Sequence, residues 1–154
     1  MGRPSWDDYF MSMARLAAGR STCLRRKVGC VLARDRRVLA TGYNGAPSGV
    51  PHCEETGCVR ERLGVPSGER TELCRAVHAE QNAAAQAARF GISLEGCTAY
   101  VTCQPCAACM KTLMQAGVRA IVWDGDEYPD TLGLELAAEA GWAVRGTGRM
   151  EKVK

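Results

Sequence analysis

Apolar residues recur at helical spacing at Trp6, Phe10, Met13 and Leu16, which predicts an amphipathic helix over residues 5–19, ended by Gly19, with that stripe in the core. The period then shortens. Val28–Ala33 and Val38–Tyr43 are β-rich runs, and the charged Arg34-Asp35-Arg36-Arg37 between them predicts a hairpin, after which Asn44-Gly45 is expected to turn the chain. The alanine-rich residues 75–90 stop at Gly91, while Pro105 and Gly117 bracket another helix with proline at its start and glycine past its end. Cys97–Thr102, Arg119–Trp123 and Trp142–Arg145 read as further strands, and residues 131–139 as one more helix. This alternation predicts an α/β fold, a three-layer α/β/α sandwich around a five-stranded mixed sheet with a parallel portion. Residues 46–74 match no element, and a structureless loop of that length is uncommon in a compact domain unless something pins or uses it.

Composition adds limits to this outline. With 154 residues, 46% of them apolar and 24% charged, and neither a repeat nor a linker-like shift, the chain reads as one domain over 1–154. The N-terminus lacks the pattern of a secretory signal, and no apolar run approaches the roughly 20 residues of a membrane span, so a soluble, cytoplasmic protein is expected. Nine cysteines, an odd count, then point to thiols and metal ligands rather than a disulfide framework. The net charge of +3 is unevenly placed: Arg15, Arg20, Arg25, Arg26, Lys27, Arg34, Arg36 and Arg37 face only Asp35 between positions 15 and 37. Such a run is either a solvated face or a site for a small phosphorylated ligand. A nucleic-acid binder would be more basic overall and richer than 6% in stacking aromatics.

The chemistry concentrates at two predicted helix starts. His78-Ala79-Glu80 and Pro105-Cys106-Ala107-Ala108-Cys109 supply one imidazole, two thiols and a carboxyl group. His78, Cys106 and Cys109 would leave a fourth zinc position open, as in a catalytic rather than a structural site, and helix N-termini stabilise thiolate. Separately, the cysteines could be half of a structural knuckle and His78 a core histidine. Together with Glu80 and Pro105 they match the described pattern of the zinc deaminases. Zinc in such a site lowers the pKa of its water to about 7, and Glu80 would be the group that carries protons between that water, the ring nitrogen and the departing amine.

At these residues the sequence resembles the cytidine and deoxycytidylate deaminase superfamily. His78-Ala79-Glu80-Gln81-Asn82-Ala83, Tyr100-Val101-Thr102, Cys103-Gln104-Pro105-Cys106, Arg20-Ser21-Thr22-Cys23, Val28-Gly29, Thr41-Gly42-Tyr43-Asn44-Gly45 and Tyr128 are similar to the deoxycytidylate branch, and to its bacterial late-competence members in particular. The resemblance covers about residues 5–130. It implies a cytidine deaminase-like fold, hydrolysis of dCMP to dUMP and ammonia for thymidylate synthesis, control by dCTP and dTTP, and a homo-oligomer. It also implies that Asn44 binds the deoxyribose, Arg25 the phosphate, and that Tyr128 lies beside the nucleotide. Without it these are a Tyr-Asn-Gly turn, a solvated arginine and a loop aromatic. Leu24 replaces a frequent proline and Arg26 adjoins Arg25, so the phosphate ligand is open between the two arginines.

Of the other cysteines, Cys30, Cys97 and Cys103 fall in or beside predicted strands and read as small buried hydrophobes. Cys53, Cys58 and Cys74 bracket the long irregular segment and Cys23 precedes the hairpin, so these four could form a closed structural zinc site, with His52 as an alternative ligand or free thiols as the plain case. Members of the resembled family carry such a second zinc with varied ligands. A deaminase of transfer RNA or single-stranded DNA is disfavoured by the modest charge, and a riboflavin-type pyrimidine deaminase by the two-residue gap between Cys106 and Cys109. A zinc scaffold without catalysis would have no use for Glu80.

Overall fold

The computed structural model describes residues 2–146. Helix α1 (Trp6–Ala18) starts where the Ser5 hydroxyl accepts a hydrogen bond from the Asp8 amide at 3.1 Å, and Gly19 caps its end. Its buried face is Phe10, Met11, Ala14 and Ala18. The stripe expected from the sequence is therefore rotated: Phe10 is core, Met13 is only partly buried, and Trp6 and Leu16 are exposed. Close packing selects the small face, because a Cβ on Gly29 would sit 1.9 Å from the Ala14 carbonyl oxygen.

Strands β1 (Gly29–Arg34) and β2 (Arg37–Tyr43) form the expected hairpin, antiparallel from Gly29 opposite Tyr43 to Arg34 opposite Arg37, with a bulge at Leu32/Ala33. The turn is Asp35-Arg36 alone, at φ 52° and 60°, the left-handed backbone that two-residue hairpin turns favour. Asn44-Gly45 does not turn the chain. Gly45 stays extended and forms a β-bridge with Val77, and the reversal comes later, where the Val50 amide bonds the Pro47 carbonyl.

Residues 46–74 are not structureless either. They contain the one-turn helices α2 (Cys53–Thr56) and α3 (Val59–Arg62) and a 3-10 turn at Thr71–Leu73, each too short to show a period in the sequence. Helix α4 (Ala79–Phe90) begins later than residue 75, because Val77 is held in its bridge and His78 takes the extended N-cap conformation, its amide bonding the Gln81 side chain.

Strand β3 (Thr98–Val101), helix α5 (Ala107–Gln115), strand β4 (Ala120–Trp123), helix α6 (Leu132–Glu139) and strand β5 (Ala143–Gly146) complete the order within a residue or two of expectation. The sheet runs β2-β1-β3-β4-β5, antiparallel among the first three and parallel from β3 to β5. Alternation along the strands divides the core into two. Val31, Ala33, Tyr100 and Val122 pack under α1, while Cys30, Leu32, Ala99, Val101, Ile121 and Trp123 face α4, α5 and α6. This is the expected five-stranded three-layer sandwich. Cys30, Cys97 and Cys103 are buried in it, as their positions suggested.

Candidate active site

The sheet brings the starts of α4 and α5 together, and with them the two halves of the motif. His78 is the N-cap of α4 and Cys106 the N-cap of α5, with Cys109 one turn further in and fully buried. Among the described residues these three form the one group of ligand-type side chains whose donor atoms all lie within 4.8 Å of one another. His78 Nδ1 is 3.6 Å from Cys106 Sγ and 3.3 Å from Cys109 Sγ. Tetrahedral zinc, with Zn–S near 2.3 Å and Zn–N near 2.0–2.1 Å, sets nitrogen and sulfur donors about 3.5 Å apart, so the spacing and the donor chemistry both fit that ion.

Charge is strongly coupled in this cluster. The Cys106 thiol is pushed down to about 4, chiefly by its hydrogen bond with Cys109 and then, against the opposing effect of burial, by His78. The same contact pushes Cys109 up, and the hydrogen bond with Cys106 raises the His78 imidazole. Glu80, 4% exposed in the first turn of α4, is raised by burial.

His78, Glu80 and Cys106 line a pocket together with Arg25, Arg26, Asn44, Arg60, Ser67, Gly68, Gln104 and Tyr128. Asn44, Arg25 and Tyr128 are thus placed at the same site as Glu80. Asn44 is already heavily used by the protein. Its Oδ1 accepts from Ser21 Oγ at 2.6 Å and from the Val28 amide at 2.8 Å, and its Nδ2 donates to the Arg26 carbonyl at 2.7 Å. One N–H remains to face a ligand. Arg26 lies over the Tyr128 ring at 5.3 Å, donates to Cys103 Sγ at 3.3 Å and sits 3.9 Å from Asp126. Arg25 donates to the Val65 carbonyl at 2.6 Å and is 3.6 Å from Glu61.

The remaining basic run disperses. Arg15 pairs with Asp124, Arg34 bonds the Ser93 and Glu95 carbonyls, and Arg36 covers Trp6.

Arg60, Ser67 and Gly68 had no sequence signal, because they lie in the segment that lacked a period, and Gln104 was quoted within a family-like segment without a role of its own. Gln104 donates to the carbonyls of Tyr128 and Asp130 at 3.4 and 3.2 Å, holding Tyr128 against the pocket.

The four other candidate ligands are gathered less tightly. Burial first, and then the charges of Cys23, Cys74 and Cys58, raise the Cys53 thiol. The four thiols do not reach the mutual 4.8 Å spacing of the His78 cluster. His52 Nδ1 is engaged with Thr22 Oγ1 at 2.9 Å.

Known proteins resemble this chain in sequence and in fold. Residues 4–124 match the family model described as the cytidine and deoxycytidylate deaminase zinc-binding region. The deoxycytidylate deaminase of Schizosaccharomyces pombe is 42% identical over 143 residues, 93% of this chain and 44% of the relative, so the chain spans less than half of that protein. ComE operon protein 2 of Bacillus subtilis is 38% identical over 144 residues, 94% of this chain and 72% of its own. The crystal structure of dCMP deaminase from the cyanophage S-TIM5 in complex with dCMP and dUMP superposes with a TM-score of 0.78 at 30% identity, covering 96% of this chain and 100% of the phage chain.

Proposed function

The chain belongs to the cytidine and deoxycytidylate deaminase family, and from that premise we propose that it hydrolyses dCMP to dUMP and ammonia at the pocket formed by α4 and α5. The observation that carries this reading is a buried carboxyl, Glu80, lining the same pocket as His78 and Cys106, which form with the buried Cys109 a cluster of zinc-compatible spacing. His78, Cys106 and Cys109 would hold the zinc. When bound there, zinc supplies a water acidified to a pKa of about 7.

The chain's own residues account for the rest. Glu80 takes a proton from the attacking water, places it on the pyrimidine ring nitrogen, and delivers a second to the departing amine. Its burial excludes bulk water from these transfers and fixes the carboxyl direction. The free N–H of Asn44 contacts the sugar, and Tyr128, held by Gln104 and Arg26, walls the nucleotide. Arg25 takes part in holding the phosphate. A second, structural zinc at Cys23, Cys53, Cys58 and Cys74 would order the 46–74 segment, and support for it comes from the electrostatic influence of the other three thiols on Cys53. Supply of dUMP for thymidylate synthesis, control by dCTP and dTTP, a homo-oligomeric state and a cytoplasmic location complete the reading and rest on the family. No helix among the described residues is long and apolar enough to cross a membrane.

Ammonia release from a panel of dCMP, CMP, deoxycytidine, cytidine and a cytosine-containing oligonucleotide tests the proposal. dCMP is expected to give the highest kcat/KM. Preference for the oligonucleotide, or no release from any member, would contradict it.

A further inference from the structure

The Arg20-Ser21-Thr22-Cys23 segment carries a buried hydroxyl that the proton transfers do not use. Ser21 is 2% exposed, two residues beyond the Gly19 cap of α1, and its amide bonds the Ala18 carbonyl at 3.0 Å. It is not among the residues that line the pocket. Its hydroxyl nevertheless holds one that is. Ser21 Oγ donates to Asn44 Oδ1 at 2.6 Å, with the Asn44 carbonyl at 2.8 Å as the other acceptor, and it accepts from the Cys23 amide at 3.2 Å. A hydroxyl has one proton, so the shorter of the two contacts takes the larger share of it.

These bonds decide what Asn44 can offer. Its Oδ1 also accepts from the Val28 amide at 2.8 Å, and its Nδ2 donates to the Arg26 carbonyl at 2.7 Å. A reversed amide would set oxygen against the Arg26 carbonyl oxygen and nitrogen against the Val28 amide, so the orientation is fixed. With two donors on Oδ1, the side chain presents a donor to the pocket and no acceptor. Val28 and Arg26 lie on one short stretch of chain, whereas Ser21 ties Asn44 to a different element, the end of α1. The proton it places on Oδ1 also draws charge from the amide and strengthens the remaining N–H as a donor, by about 10–30% per bond in such chains.

Resting on the nucleotide deamination proposed above, we infer that Ser21 is a positioning residue for the sugar: it orders and polarises Asn44 so that the free N–H meets the 3′-oxygen of the deoxyribose as an acceptor. dCMP carries one sugar hydroxyl, because its 5′-oxygen is esterified to phosphate and its 2′-carbon bears hydrogen alone. Ser21 does not touch the nucleotide. Its effect reaches the substrate through Asn44 and is confined to compounds that keep the 3′-oxygen.

The test measures kcat and KM for dCMP and for 2′,3′-dideoxycytidylate, which lacks only that oxygen, in the wild type, Ser21→Ala and Ser21→Thr, with Tm on the same preparations. The wild type is expected to favour dCMP by about tenfold or more in kcat/KM, since the analogue leaves a placed donor unpaired. In Ser21→Ala that ratio should fall roughly 3- to 10-fold, the worth of one neutral hydrogen bond. The fall should come through a higher KM for dCMP with its kcat held, while the dideoxy compound is unaffected. Ser21→Thr keeps the hydroxyl and should restore the ratio. A role in folding alone would lower Tm and leave the ratio where it was, so a ratio within about twofold of wild type in folded Ser21→Ala overturns the inference. If Ser21→Ala does not fold, Ser21→Cys, which nearly keeps the volume and weakens the donor, is read by the same ratio and the same limit. A wild type that treats the two compounds alike would also overturn the inference and leave deamination standing. A wild type that releases ammonia from neither would sink the proposed function instead, and calorimetric affinities for the two compounds would then supply the ratio.

Discussion

Gly42 connects the fold to the chemistry most sharply. It lies on β2 directly under α4, and a Cβ there would meet the Ala79 carbonyl oxygen at 2.2 Å and the Ala83 amide nitrogen at 2.6 Å. Both obstacles are helix backbone, so no side chain can rotate away. Restoring ordinary contact in Gly42→Ala requires α4 to retreat by about 1 Å at its first turn, since packed interiors have no slack to absorb the methyl group. The turn that moves carries Ala79, with His78 before it and Glu80 after it. Overpacking of this kind costs about 3 kcal/mol, which for a chain of this length lowers Tm by roughly 6–12 °C. A displacement of about 1 Å at reacting groups costs on the order of 100-fold in rate. Circular-dichroism melting, zinc content and kcat/KM for dCMP read these effects separately. Gly29→Ala is the control, because its Cβ would strike α1 on the opposite face and so lower Tm while sparing the kcat of the folded fraction. Gly42→Ala with a wild-type Tm and wild-type kcat/KM would refute the claim that close β2–α4 contact sets the position of His78 and Glu80.

Three further outcomes follow from particular contacts. Asn44→Ala removes three hydrogen bonds and orphans the Val28 amide and Arg26 carbonyl, so it should cost about 2–4 kcal/mol in denaturant melts even without nucleotide; an unchanged midpoint would show that Asn44 serves only as a ligand contact. Burial, and then the hydrogen bond that Tyr100 donates to Asp7 at 2.9 Å, raise the Tyr100 phenol. The folded state therefore holds this proton more tightly than the unfolded state. The stabilisation is complete below pH of about 10 and lost progressively above it, so the stability gap between wild type and Tyr100→Phe should narrow from pH of about 10 upward, and a gap that widens would reverse the assignment. Metal analysis should give about two zinc ions per chain, falling to about one in Cys74→Ser; one per chain in both would remove the second site.

The legible parts of this molecule are those decided within a few residues. His78, Glu80, Cys106 and Cys109 could be read together because each half of the cluster is a short local pattern, His78-Ala79-Glu80 and Pro105-Cys106-Ala107-Ala108-Cys109, that pairs recognisably with the other. The five strands and the three layers followed from the change of hydrophobic period, whereas their order within the sheet is given by the structure alone. What the sequence concealed depends on partners far along the chain. Gly45 was expected in a turn because Asn-Gly favours one, but pairing with Val77 keeps it extended and also delays α4. The α1 stripe shifted because Gly29 admits Ala14 and not a large side chain. Arg60 gave no signal, since a four-residue helix has no period and burial of its guanidinium is set by the 65–66 backbone folding back on it.

The central claim is that Glu80 moves protons at a zinc held by His78, Cys106 and Cys109. Its most direct test is single-turnover release of ammonia from dCMP by the wild type and Glu80→Ala, with zinc content and Tm measured on the same preparations. The account predicts equal zinc at the His78 site, a folded protein, and a rate lower by about 100- to 10,000-fold in Glu80→Ala. Turnover within a few-fold of wild type in the zinc-loaded Glu80→Ala protein would contradict it.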